Sequence, residues 1–268
     1  MLETIEKSFD VLPKNLENKY NWIAEDVLVI ILLNKSANFK GTLKPYETEI
    51  LGKKMWEWVA LCADECSIKT TTCTDESDIL MLIKPLLTDA KYTAVFYSDT
   101  PLLTRETFLE IMEFMQYRQR NVLTLTRGYV FDTEFIKNAE SIVGSQTEYF
   151  NEEDFMICYD YKQLALVTEI LKNRILDFHL KNGVKIDDLS STFIDSDVVI
   201  ESGTHIMPNC IIKGSSFIGK NCQIGFGNYI ENSIISDEVI LNQSRIIESK
   251  ISENSEIGPF QFIRKKSI

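Results

Sequence analysis

The chain has 268 residues, 44% of them hydrophobic, and its 40 acidic and 28 basic residues give a formal net charge of −12 at pH 7. Nucleic-acid backbones and anionic membrane surfaces are bound by clustered cations, so this balance argues against both as partners. No segment approaches the roughly 20 apolar residues that span a bilayer, and the first ten residues lack the basic start and apolar run of a secretory signal. We therefore expect a cytoplasmic protein with a sizeable core.

The cysteines and histidines exclude several kinds of site. No two of the six cysteines form a CxxC pair, which favours reduced, buried thiols over a disulfide framework. The chain has only two histidines, His179 and His205, and neither has clustered partners in the sequence. A histidine-based metal site or a Ser-His triad is therefore not expected.

The first part of the chain alternates between strand and helix patterns. Residues 1–25 are expected to form a helical or irregular extension, and the aliphatic run Asp26–Leu33 predicts a strand buried on both faces. The patterns that follow predict a helix over Lys53–Cys66, a strand over Ser67–Cys73, a helix over Asp78–Leu87, a strand over Lys91–Asp99, a helix over Thr104–Gln119 with Thr104 as N-cap, and strands over Asn121–Thr126 and Gly128–Phe131. This alternation predicts right-handed crossovers in a doubly wound, mostly parallel sheet.

A long amphipathic pattern over Tyr161–Gly183 predicts a helix that connects this α/β domain to the rest of the chain. Asn182-Gly183 is a typical helix C-cap, and a domain boundary is expected near residues 183–190.

Beyond this helix an isoleucine recurs every five or six residues, which fits neither a helix nor a lone strand. Hexapeptide periodicity is typical of a parallel β-helix, with one inward aliphatic side chain for each short strand. The residue four places after each of the early isoleucines is small or of moderate size, as a tight corner requires. The predicted inward ladder is Ile194, Ile200, Ile206, Ile212, Ile218, Ile224, Ile230, Ile235, Ile240, Ile246, Ile251, Ile257 and Ile263.

Ligands of open parallel sheets lie beyond the carboxyl ends of the strands. Two stretches qualify, the loop after Leu33 and the turn that contains Asp99, Thr100 and Pro101. An aspartate at such a strand end is a candidate Mg²⁺ ligand for phosphoryl chemistry, although many such aspartates only cap the next helix.

Four segments of the chain resemble, in order, the bifunctional bacterial enzymes of UDP-N-acetylglucosamine synthesis: YSDTPLLTRETF, LVTEILKNRILDFHLKNGVKI, STFIDSDVVIESGTHI and SEIGPFQFIR. That family joins N-acetylglucosamine-1-phosphate uridylyltransferase to glucosamine-1-phosphate acetyltransferase. The resemblance implies a shortened, Rossmann-like nucleotidyltransferase domain over residues 26–159, a connector helix over 160–183 and a left-handed β-helix of about four coils over 184–268. It also implies a trimer, a nucleotide-sugar ligand and Mg²⁺ as cofactor.

The chain departs from the family where the nucleotide phosphates would bind. The family's first strand leads into a glycine-rich loop with an arginine, and here Lys35, Ala37 and Phe39 stand at those positions. A phenylalanine offers neither bare backbone nor charge to a phosphate. Lys44 is the remaining candidate catalytic residue, although a surface lysine is the alternative. The family's uracil-reading segment has no visible counterpart between Thr70 and Leu87.

The metal and sugar sites depart from the family too. Asp99 matches its first Mg²⁺ ligand, and Asp99 and Thr100 are the candidate cofactor-binding residues. The second metal ligand falls on Tyr159, so Asp160 is the candidate substitute. The stretch before Gly128 is much shorter than in the family, where the sugar-binding subdomain would lie.

At the other end, Arg264 matches the first arginine of the family's acetyltransferase site. The later turns that complete that site would lie beyond Ile268. Alternatively, Arg264 protects the open edge of the solenoid.

Three hypotheses follow. The chain is a catalytically degenerate relative that retains a nucleotide-sugar-binding, regulatory or scaffolding role, or an active Mg²⁺-dependent sugar-phosphate uridylyltransferase. An acyltransferase is the least favoured of the three.

Overall fold

The computed structural model describes residues 22–36, 39, 44–142 and 147–265. The chain forms two compact units, and the division falls between Val167 and Thr168, inside the long helix. Most of the predicted extension, residues 1–21, lies outside the described residues, while residues 22–26 are helical. Among the described residues, no helix is both long and apolar enough to cross a membrane.

The first unit is built on a five-stranded sheet in the order β4-β1-β5-β7-β6. Four strands run in one direction and β7 runs against its neighbours. The strands are β1 (Val27–Asn34), β4 (Ser67–Cys73), β5 (Tyr92–Tyr97), β6 (Val122–Leu125) and β7 (Gly128–Asp132), and a small hairpin pairs β2 (Glu49–Ile50) with β3 (Lys53–Lys54). The predicted doubly wound, mostly parallel sheet is confirmed.

Apolar side chains on both faces of β1 explain its continuous aliphatic sequence. Val27, Val29 and Ile31 belong to one core cluster, whereas Leu28 and Ile30 belong to a second cluster. Besides the helical residues 22–26, this unit contains the helices α1 (Met55–Leu61), α2 (Ile79–Ile83), α3 (Arg105–Arg118) and α4 (Thr133–Asn138). Residues of α1 and α3 join the first cluster and residues of α2 and α4 the second, so helices cover both faces of the sheet.

Two predicted helices are shorter than their sequence patterns. The pattern over Lys53–Cys66 begins with strand β3, and α1 starts only at Met55. The pattern over Asp78–Leu87 gives α2 and then a 3₁₀ turn over Lys84–Leu86, because Pro85 has no N–H for the helical ladder. The prediction for α3 holds closely: the Thr104 hydroxyl caps it by accepting a hydrogen bond from the Thr107 N–H.

The connector helix α5 spans Tyr161–Lys181. Gly183 follows it with φ of +84°, a conformation that glycine adopts without strain. The Val184 N–H donates to the His179 carbonyl across 3.1 Å, which closes the predicted C-cap.

The second unit is a triangular solenoid of short parallel strands. Every third strand along the chain pairs with the next one above it, so three sheets stack in the orders β10-β13-β16-β19, β8-β11-β14-β17-β20 and β9-β12-β15-β18-β21. The strands are β8 (Lys185–Ile186), β9 (Phe193–Ile194), β10 (Val199–Ile200), β11 (His205–Ile206), β12 (Ile211–Lys213), β13 (Phe217–Ile218), β14 (Gln223–Ile224), β15 (Tyr229–Glu231), β16 (Ile234–Ile235), β17 (Ile240–Leu241), β18 (Arg245–Ile247), β19 (Lys250–Ile251), β20 (Glu256–Ile257) and β21 (Phe262–Arg264). This is the predicted left-handed parallel β-helix.

The isoleucine ladder lines the interior of the solenoid, with one correction. Ile194, Ile212 and Ile230 are fully buried and stack in register. The prediction that Ile240 points inward is wrong: Leu241 is fully buried and pairs with Ile224 and Ile257, while Ile240 is partly exposed. Both residues of β17 are aliphatic, so the sequence pattern did not distinguish them. The small corner residues Val198, Thr204, Cys210, Ser216, Cys222 and Asn228 are buried as predicted.

Candidate functional site

Polar side chains meet at the carboxyl edge of the α/β sheet. Strand β1 has β4 on one side and β5 on the other, so the order reverses there and the crevice for a ligand opens between β1 and β5. Asn34 ends β1 and Asp99 follows β5. Asp75 follows β4, and Arg127 lies in the turn between β6 and β7. The four side chains thus come from four adjacent strand ends.

Asp99 is bound by an arginine. The Arg127 Nε donates to Asp99 Oδ1 across 3.2 Å, and the Nη2 donates to Asp99 Oδ2 across 2.6 Å. The Asp99 side chain is 4% exposed and that of Arg127 20%. Two parallel hydrogen bonds between a guanidinium and a buried carboxylate form one of the stronger side-chain contacts in proteins.

Asn34 and Asp75 complete the cluster. The Arg127 Nη2 also donates to Asp75 Oδ1 across 2.8 Å. The Asn34 Nδ2 donates to Asp99 Oδ2 across 2.7 Å and to Asp75 Oδ1 across 3.1 Å. We call Asn34, Asp75, Asp99 and Arg127 the polar clamp. It joins the ends of β4, β1 and β5 to the β6–β7 turn.

The electrostatics of the clamp favour the charged forms of Arg127 and Asp75. Burial alone would lower the pKa of Arg127, but the hydrogen bonds and charges of Asp99 and Asp75 outweigh it and raise that pKa. The hydrogen bond from Arg127 holds the pKa of Asp75 below its usual value. Two carboxylates and one guanidinium leave the clamp with a net negative charge at neutral pH.

The backbone and an aromatic ring fix Arg127 in this position. Gly128 begins β7 with φ of +143°, and a side chain there would place its Cβ 2.5 Å from the Val95 carbonyl oxygen. The turn can therefore approach β5 closely only with glycine at this position. The guanidinium carbon lies 4.0 Å from the centre of the Tyr97 ring, a cation–π contact that orients the fork.

Two predicted site residues lie apart from the clamp. The Lys44 side chain is 58% exposed and pairs with Glu47 at 3.2 Å, as a surface lysine does. Thr100 is fully buried, and its hydroxyl donates to the Tyr97 carbonyl across 2.9 Å. The Thr100 hydroxyl therefore stabilises the turn after β5.

The phosphate-loop position and the second metal candidate are also engaged elsewhere. Phe39 is 3% exposed, and its ring packs edge-on against Tyr161 with centroids 5.1 Å apart. Asp160 caps α5, because its Oδ1 accepts from the N–H groups of Lys162 and Gln163 at 2.8 and 2.9 Å. Ala37 lies outside the described residues.

These contacts test whether Mg²⁺ fits. Both oxygens of Asp99 accept hydrogen bonds from Arg127, and Asp160 is the N-cap of a helix. Among the described residues, no group of three or more histidine, cysteine, aspartate or glutamate side chains is arranged to hold a metal ion. The Asp99–Asp160 arrangement therefore does not fit the cation.

In the β-helix unit, Arg264 is exposed at the end of β21, beside Ile247. His205 Nε2 lies 2.8 Å from Asp187 Oδ2, and this hydrogen bond is the main reason why the pKa of Asp187 is low. Lys185 Nζ lies 3.3 Å from Asp187 Oδ1, so two basic side chains share this carboxylate on partly exposed surface.

Sequence reasoning found Asp99 and missed its three partners. Asp75 and Arg127 lie in polar turns, where charged residues are common and carry little signal on their own. The available signal was position, because each partner lies within two residues of an end of a predicted strand. It becomes informative only once the order of the strands is known.

The fold defines a doubly wound, Rossmann-like α/β unit followed by a parallel β-helix of hexapeptide repeats. A family model described as the GMPPB C-terminal domain matches residues 194–268. The chain is 41% identical over 115 residues to the bifunctional protein GlmU of Clostridioides difficile strain 630, a match that covers 43% of this chain and 25% of the relative. It is 39% identical over 134 residues to GlmU of Syntrophomonas wolfei (50% and 30% covered) and 35% identical over 139 residues to GlmU of Alkaliphilus metalliredigens (52% and 30%).

Over the matched residues the chain is GlmU-like. The matched segments make up 25 to 30% of the length of these three relatives.

Proposed function

We propose that this chain is a catalytically degenerate protein of the sugar-1-phosphate nucleotidyltransferase type, related to UDP-N-acetylglucosamine synthesis, with a regulatory or scaffolding role. The observation that carries the proposal is the polar clamp across the carboxyl edge of the sheet. It spans the crevice in which a protein of this fold binds its nucleotide.

The clamp closes the crevice directly. Asn34 on β1 and Asp99 after β5 flank the point where the strand order reverses, and they are hydrogen-bonded to each other across 2.7 Å. Arg127 then ties Asp99 to Asp75 on the far side of β1. A ligand that entered between β1 and β5 would have to break several charge-assisted hydrogen bonds, which are stronger than neutral ones.

The charges also disfavour a nucleotide. Phosphoryl transfer depends on cations that neutralise the phosphate oxygens, usually metal ions with a lysine or an arginine. Here the clamp is net negative, and its arginine already serves two carboxylates. Lys44 is paired with Glu47 at the surface, and Phe39 is buried at the phosphate-loop position.

The β-helix unit supports the assembly role. Its interior is complete, with fully buried isoleucines in each of the three sheets. One of its outer faces carries an apolar row in register, Phe193, Ile211, Tyr229 and Phe262, interrupted by Arg245. Exposed apolar rows of this kind are typical of protein interfaces. We propose that the chain forms a homotrimer through this unit and that it is cytoplasmic.

A pyrophosphate-release assay tests the proposal. The purified chain is incubated with UTP, N-acetylglucosamine-1-phosphate and Mg²⁺, and pyrophosphate is measured by a coupled enzyme. We expect release no faster than with an Asp99→Ala variant, together with a trimer by multi-angle light scattering. Release that depends on Mg²⁺ and on Asp99 would instead establish an active uridylyltransferase. A monomer at micromolar concentration would remove the assembly role.

A further inference from the structure

The buried carboxylate of Asp99 already has a cation. Its two oxygens accept three hydrogen bonds, two from Arg127 and one from Asn34, at 2.6 to 3.2 Å. The guanidinium lies between Asp99 and Asp75, where it donates to both carboxylates through the same nitrogen. The guanidinium group of Arg127 therefore occupies the position that a cation shared by the two carboxylates would occupy.

We propose that Arg127 is the resident cation of this pocket and excludes divalent metal ions from it, so that removing its charge converts Asn34, Asp75 and Asp99 into a divalent-cation site. The inference rests on the proposed function only in that both concern the same pocket. It adds that a single side chain keeps the pocket free of metal.

A guanidinium and a hard divalent cation require the same partners in different geometries. Mg²⁺ and Mn²⁺ take carboxylate and amide oxygens, and Mg²⁺ binds at about 2.0–2.1 Å in an octahedral arrangement. Arg127 instead holds the Asp99 oxygens at hydrogen-bond distance, with Nε on one oxygen and Nη2 on the other. Since this positively charged fork contacts both Asp99 oxygens, a divalent cation on Asp99 would lie beside the guanidinium charge and be repelled by it until the fork leaves.

Loss of the arginine would leave strong attraction for another cation. Asp99 is 4% exposed and would remain beside Asp75 without a compensating charge. Such a buried carboxylate must acquire a proton or a cation. The Asn34 amide nitrogen now donates to both carboxylates, and its oxygen accepts from the Ser36 N–H across 2.9 Å. Rotation of the amide would turn this oxygen towards the two carboxylates, which would give three oxygen ligands from three strand ends.

The probe is Mn²⁺, whose free concentration is followed by electron paramagnetic resonance during titration of the full-length chain. Four proteins are compared: wild type, Arg127→Ala, Arg127→Lys and the double variant Arg127→Ala with Asp99→Asn. Arg127→Gln replaces Arg127→Ala if the alanine variant does not fold. Arg127→Lys is the matched control, because it retains a positive charge at the same position.

We expect Arg127→Ala to bind one Mn²⁺ in the range of about 0.1–1 mM that is typical of weak carboxylate sites. Wild type and Arg127→Lys should bind Mn²⁺ at least about tenfold more weakly at this site, and Asp99→Asn should abolish the gain. Circular dichroism confirms that each variant is folded. The melting temperature of Arg127→Ala should rise with Mn²⁺ while that of wild type stays constant, because a ligand that binds only the folded state stabilises it.

Two results would overturn the inference. One is a wild-type Mn²⁺ site that disappears with Asp99→Asn, since Arg127 would then not exclude the metal. The other is a folded Arg127→Ala or Arg127→Gln protein that binds no more Mn²⁺ than wild type. Neither result decides the proposed function, because pyrophosphate release from the wild-type chain is measured separately.

Discussion

His179 gives the β-helix unit an acid sensitivity that one substitution should remove. Its side chain is 1% exposed, and neither ring nitrogen has a hydrogen-bond partner among the described residues. Burial lowers its pKa from the ordinary 6.5 to about 4. The folded chain therefore keeps His179 neutral at pH values at which the unfolded chain protonates it.

The sign and size of the effect follow from proton linkage. Between pH 6.5 and 4 the unfolded chain binds more protons than the folded chain. The contribution of neutral His179 to the free energy of unfolding is therefore complete above pH 6.5 and is lost as the pH falls towards 4. At about 1.4 kcal/mol for each pKa unit, the complete loss is about 3 kcal/mol. The loss between pH 7.5 and pH 5 is about 2 kcal/mol.

The assay is urea unfolding at pH 7.5 and pH 5.0, followed by circular dichroism and by tryptophan fluorescence. All three tryptophans, Trp22, Trp56 and Trp58, lie in the α/β unit, so fluorescence reports that unit alone. The transition seen by circular dichroism but not by fluorescence should lose about 2 kcal/mol at pH 5.

In His179→Leu this difference should disappear. His205→Gln, which changes the chain's other histidine at the partly exposed surface, should retain it. An equal loss at pH 5 in wild type and His179→Leu would refute the assignment to His179.

Three further predictions concern packing, the clamp and the thiols. Ile212→Ala should lower the free energy of unfolding of the β-helix unit by about 2–5 kcal/mol in urea. Ile211 is the exposed neighbour of Ile212, so Ile211→Ala should lower it by less than about 1 kcal/mol. Equal losses would contradict the inward register. Arg127→Ala should lower the free energy of unfolding of the α/β unit by about 2–4 kcal/mol, followed by tryptophan fluorescence, because Asp99 is left buried and unpaired. Adding Asp99→Asn should recover part of that loss. Strict additivity of the two losses would argue against the ion pair. The thiols of the native chain should not react with Ellman's reagent at pH 8, because the six cysteines are buried and burial raises the pKa of Cys66 to about 12. Rapid labelling before unfolding would show instead that the thiols are accessible.

The sequence predicted most of the fold because the decisive signals are local or periodic. The aliphatic run of β1 is too short for a helix and too continuous for a half-exposed strand, so it indicates burial on both faces. The six-residue period of isoleucines predicts a triangular solenoid without any tertiary information. Failures occurred where two local signals compete. Ile240 and Leu241 are adjacent aliphatic residues, and only the pairing of Leu241 with Ile224 shows which one points inward.

The candidate site was predictable only in part. Asp99 carries a visible signal, because it follows a buried strand and precedes a proline. Its partners Asp75 and Arg127 lie 24 and 28 residues away along the chain, positions 75 and 127 against 99. Their meeting depends on β4 and β7 lying on opposite sides of the β1–β5 pair. Strand order is a property of the whole sheet, and no motif in this sequence encodes it.

A thermal-shift titration with UTP and UDP-N-acetylglucosamine, with and without Mg²⁺, tests the central claim most directly. If the clamp closes the nucleotide crevice, neither ligand should raise the melting temperature of the wild-type chain, because only a ligand that binds the folded state stabilises it. A rise that requires Mg²⁺ and disappears in Asp99→Ala would show an open, metal-dependent nucleotide site and would contradict the account.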